Sequence, residues 1–79
     1  MDNIEQIEYL IDTQKQTVIK MQRINKEIEA IINQLPQVRN KKNLEKYYFL
    51  QINRLKIAGD SFKILQSEIE VLKLKELMK

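Results

Sequence analysis

Glu68 and Glu70, in the run QSEIE, have the spacing nearest to that of an acid–base pair. General acid–base catalysis needs both groups to converge on one reacting centre within hydrogen-bond reach. Two residues apart on a helix they diverge by roughly 200°, so they read as solvated surface. Ser61 and Ser67 have no evident activating base, because the chain contains neither histidine nor cysteine. A neutral-pH base, a thiolate nucleophile and the Glu-x-x-His pairs of carboxylate-bridged metal bundles are therefore excluded. With a single glycine, Gly59, no glycine-rich phosphate loop can be built. The reading is non-enzymatic, with no cofactor and no metal.

Two other groupings could carry chemistry. Arg39, Lys41, Lys42 and Lys46 form the densest positive run, and Tyr47, Tyr48 and Phe49 follow it directly. Basic residues that neutralise phosphates, with aromatics that stack on bases, are how proteins hold nucleic acid. Consecutive helical residues point in different directions, however, and Tyr48 falls on a core stripe. A basic run at a turn is more simply a solvated tip. Nucleic-acid binding through these four residues is the alternative function.

The segments around this run share one character. One glycine, one proline and abundant Lys, Glu, Gln, Leu and Ile mark a helical chain. From Ile4 the first segment runs in heptads, with a positions Ile4, Ile11, Val18, Asn25 and Ile32 and d positions Ile7, Gln14, Met21, Ile28 and Leu35. Eight of these ten are apolar, which is a coiled-coil signal. Asp2 and Glu5 have capping-box spacing, and Pro36 pushes Leu35 out of the helical region, so a helix is expected over about 3–35. The second segment has a positions Tyr48, Leu55, Phe62 and Ile69, with Glu76 failing at the end. Its d positions are Leu44, Gln51, Ala58, Leu65 and Leu72, and Asn40 is its N-cap. Gly59 costs about 1 kcal/mol inside a helix, yet the heptad phase passes through it unchanged. The expectation is a turn over 36–40 and one helix over 41–78.

Antiparallel helices layer a against d, and numbers summing to 76 keep that match from Ile4 with Leu72 to Ile32 with Leu44. Asn25 then meets Gln51, and two amides in one layer can hydrogen-bond where either alone would be a buried orphan. The pair reads as a register lock. An all-α, antiparallel coiled-coil hairpin forming one domain over 1–79 is the expected fold; the alternative is a three-helix bundle broken at Gly59.

A hairpin leaves apolar surface over. Helix 1 adds Leu10, Ile24 and Ile31 at g, and helix 2 adds Leu50, Ile57, Ile64, Val71 and Met78 at every c position. Both stripes are expected on one flank, where a second copy would bury them in a four-helix bundle. The function expected is a small non-catalytic interaction factor, an adaptor, inhibitor or scaffolding regulator, that forms a homodimer and binds another protein.

Charge and length add bounds. The net charge is +3, unevenly spread, with acids at the start of helix 1 and lysines at the end of helix 2, where each suits the helix dipole. No apolar run exceeds four residues (Tyr47 to Leu50), far short of the roughly 20 needed for a membrane span. Asp2, Glu5 and Glu8 near the start are unlike a secretion signal, so a cytoplasmic location is expected. Lysine and isoleucine use at the expense of arginine and alanine suggests an AT-rich source, a low-GC bacterium or its phage.

Overall fold

A computed structural model describes residues 2–37 and 39–79; Met1, and Val38 at the expected centre of the turn, lie outside the described residues. Helix α1 covers Asn3–Gln34, a 3₁₀ turn covers Leu35–Gln37 and helix α2 covers Lys41–Leu77. The helices pack side by side, no strand occurs among the described residues, and the molecule is a rod of 62 × 16 × 14 Å.

The ends of the helices follow from their residues. Asp2 has extended backbone, and its Oδ1 accepts the Glu5 N–H at 2.8 Å, a cap worth about 1 kcal/mol. At the other end Leu35 keeps helical dihedrals (φ −50°, ψ −43°), so Pro36 does not push it out as expected. The chain instead tightens into the 3₁₀ turn, and the Leu35 N–H still bonds to the Ile31 carbonyl. Asn40 caps α2 through Asn43 at 3.4 Å. α2 then runs unbroken through Gly59, which keeps negative φ, so the three-helix alternative is not adopted. A Cβ at Gly59 would meet only Met21 Cε, at 4.0 Å, an ordinary contact.

The seam corrects the expected register. α2 buries the stripes foreseen for it, with Gln51, Ala58 and Ile69 enclosed and Leu44, Tyr48, Leu55, Phe62, Leu65 and Leu72 half-buried. α1 keeps its d stripe inside but adds the g stripe instead of the a stripe: Ile24, Ile28 and Ile31 are buried, and Leu10, Thr17 and Met21 are half-buried. Of the a stripe Ile11 alone is half-buried; Ile4, Val18, Asn25 and Ile32 are exposed. The Gln14–Gln66 hydrogen bond and the nearness of Met21 to Gly59 set the pairing. In both pairs the residue numbers sum to 80 rather than the expected 76.

Polar residues explain why this rotation is tolerated. Gln14 Nε2 donates to Gln66 Oε1 at 2.7 Å, and Thr17 Oγ1 donates to the Thr13 carbonyl at 3.0 Å. Both polar residues of the α1 seam are therefore satisfied. Turning the a stripe outward returns Asn25 to water and buries Ile24 and Ile31, each worth about 1.5–3 kcal/mol.

Candidate interaction surface

The amide layer expected to lock the register does not form. Asn25 is exposed beside Ile19, Gln22 and Lys26, while Gln51 is 0% exposed. Neither Gln51 Nε2 nor Oε1 has a hydrogen-bond partner among the described residues. Gln51 sits there because its d position is bracketed by the core stripe residues Tyr48 and Leu55. Its orphaned amide costs about 1–3 kcal/mol.

The basic residues stand at the turn end of the rod. Arg39, Lys41, Lys42 and Lys46 are all exposed, and the first turn of α2 has no acidic residue. Tyr48 turns into the seam while Tyr47 and Phe49 face outward, and the Tyr48 and Phe49 rings meet edge to face at 5.5 Å. The three aromatics are therefore not one stacking platform.

The apolar flank divides differently from expectation. Ile24 and Ile31 are closed inside the hairpin and Leu10 is half-buried there, so the g stripe of α1 is not free for a partner. The c stripe of α2 is open along its whole length: Leu50, Ile57, Ile64, Val71 and Met78 are each at least half exposed, Ile57 and Ile64 at 61%. The exposed a stripe of α1, with Ile4, Val18 and Ile32, lies beyond Ile7 on the opposite flank from Leu10, and Asn25 interrupts it.

At the open end of the hairpin the α2 stripe runs into a groove of about 600 Å³. Its walls are Tyr9 and Leu10 from α1 and Val71 and Leu72 from α2, with Gln6, Ser67 and Glu68 at the edges. Reasoning from heptads missed Tyr9, Gln6 and Ser67 because none lies on a core stripe. The available signal was Tyr9 itself, a large aromatic outside every stripe of its helix, 64% exposed. Half-open apolar walls with a few polar edge groups suit a side chain or a short helix face.

Among the described residues no group of three or more His, Cys, Asp or Glu could hold a metal ion, and no helix is long and apolar enough to cross a membrane. Compared with known proteins, the chain matches no family, no curated protein and no solved structure.

Proposed function

We propose that this chain is a small non-catalytic protein–protein interaction factor, an adaptor, inhibitor or scaffolding regulator that acts by covering a partner's surface. In this reading two copies join through α2 into a four-helix bundle, and a further protein binds the assembled rod. The supporting observation is the stripe Leu50, Ile57, Ile64, Val71 and Met78, which no other part of the hairpin covers. An apolar surface this long is costly to leave in water and marks an interface. Among the described residues only five apolar ones are buried, Ile24, Ile28, Ile31, Ala58 and Ile69, so a lone copy gains little from its own core.

The test is sedimentation over a concentration series for wild type and for Ile57→Glu combined with Ile64→Glu. Burial of each isoleucine contributes about 1.5–3 kcal/mol per chain, so the double variant sediments as a monomer. A wild type that is a well-folded monomer, and a variant that still holds its partner, would remove this reading. The second reading, nucleic-acid binding through Arg39, Lys41, Lys42 and Lys46, draws on their exposure beside a helix N-terminus without acids. It requires binding that falls steeply with salt, and loss of that binding in Lys41→Glu with Lys42→Glu.

A further inference from the structure

The groove and the α2 stripe bear on how a second copy sits, given the dimer reading above. We infer that two chains pair antiparallel across α2, so that Leu50 of the second copy fills the groove between Tyr9, Leu10 and Val71, with its Arg54 beside Glu68.

The apolar stripe can meet itself in either direction, but its charged neighbours meet opposite charges only in this one. A twofold axis near the midpoint of Asp60 and Ser61 sets Ile57 against Ile64 of the other copy and Leu50 against Val71, each contact occurring twice. Arg54 and Glu68 occupy one stripe beside it, two heptads apart, and the same axis brings them face to face. A parallel arrangement would instead turn this stripe toward the far flank of the other α2, so that Arg54 and Glu68 would not meet. Both side chains are exposed, and the one ion pair among the described residues is Glu76–Lys79. Arg54 and Glu68 therefore remain available to a second chain.

Area decides that the groove must take part. From Leu50 to Met78 the stripe is about 42 Å long, and a strip about 10 Å wide along it covers roughly 400 Å² per chain. A standard stable interface uses about 800 Å² per partner, so contact between the two α2 helices supplies about half. The remainder has to come from α1, and the groove is where α1 offers Tyr9 and Leu10 beside the stripe. Glu68 is its one charged wall residue, which matches a basic rather than an acidic side chain next to the incoming leucine. One contact opposes the arrangement: Asp60 approaches its own counterpart near the axis.

The absence of cysteine makes the test direct, since introduced thiols are unique. Leu50→Cys and Val71→Cys chains, mixed and oxidised mildly, should give a disulfide-linked dimer that neither forms alone. Arg54→Glu should raise the dimer dissociation constant about tenfold by setting two like-charged pairs, and adding Glu68→Arg should restore it. Asp60→Asn should tighten the dimer a few-fold. Self-linkage of Leu50→Cys alone would mean parallel chains and overturn the inference. A dimer in sedimentation with no mixed cross-link and no response to Arg54→Glu would leave dimerisation standing on another face and refute this geometry. A monomeric wild type would refute the dimer reading itself, and this inference with it.

Discussion

The two halves of the rod handle polar groups in opposite ways. Toward the turn the seam is apolar, with Ile24, Ile28 and Ile31 closed against α2, and its one buried amide, Gln51, goes unanswered. Toward the open end the seam contains Gln14 and Thr17, and each finds a partner. There the residues are mostly half-buried, Ile69 alone is fully enclosed, and a groove remains between the helices. A dry seam gains burial and strands an amide; a polar seam satisfies its amides and stays ajar. Stability of the single chain therefore concentrates near the turn, and surface for another chain near the ends.

Truncation should separate the halves most strongly. Ile31→Ala removes a side chain only 3% exposed and is expected to cost about 2–5 kcal/mol, whereas Ile7→Ala, half-buried at the open end, should cost nearer 1–2 kcal/mol. Urea unfolding at one fixed chain concentration measures both, since association shifts apparent stability. Equal costs would mean that the two halves hold the hairpin alike.

Exchange of the amides should give opposite signs. Gln51→Leu removes two orphaned polar atoms at nearly constant volume and should stabilise by about 1–2 kcal/mol. Gln14→Leu leaves half-buried Gln66 without its partner, although Gln66 also donates to Glu70 Oε1 at 3.3 Å, and should cost about 0.5–1 kcal/mol. A destabilised Gln51→Leu would show that this amide is satisfied in the native assembly. Between the halves, Gly59→Ala has room for its methyl and should add about 0.5–1 kcal/mol through helix propensity. A loss there would mean that α2 bends at Gly59 in solution.

Much of this architecture was legible in the residues. Asp2 and Asn40 mark the two helix starts, Pro36 marks the turn, and the phase of Leu55, Ala58, Phe62 and Leu65 carries α2 past Gly59. The stripe Leu50 to Met78 was legible too, because α2 has one apolar stripe beyond its seam. α1 was ambiguous for a physical reason: its d stripe is flanked by apolar residues on both sides, Ile4, Ile11, Val18 and Ile32 on one and Leu10, Ile24 and Ile31 on the other. Apolar periodicity weighs these two faces almost equally. The Asn25–Gln51 match favoured the wrong one, since an amide hydrogen bond nets only about 0.5–1.5 kcal/mol against the larger gain from burying Ile24 and Ile31. The groove followed from that rotation and could not be placed before it.

The smallest expected effect tests that rotation most directly. Asn25 is exposed on α1, so Asn25→Leu should change stability by no more than about 0.5 kcal/mol. Its apolar side chain would extend the outer stripe of α1 only at the surface, where Val18 and Ile32 already stand exposed. Because Asn25 and Gln51 do not share a layer, the variant carrying both Asn25→Leu and Gln51→Leu should match the sum of the single changes within about 0.3–0.5 kcal/mol. Were α1 turned to its other face, the two amides would meet, each single change would orphan the other group, and the double variant would be far more stable than the sum. A coupling above about 1 kcal/mol in urea unfolding would therefore place the a stripe in the seam, free Leu10, Ile24 and Ile31 for a partner, and dissolve the contrast between the two halves.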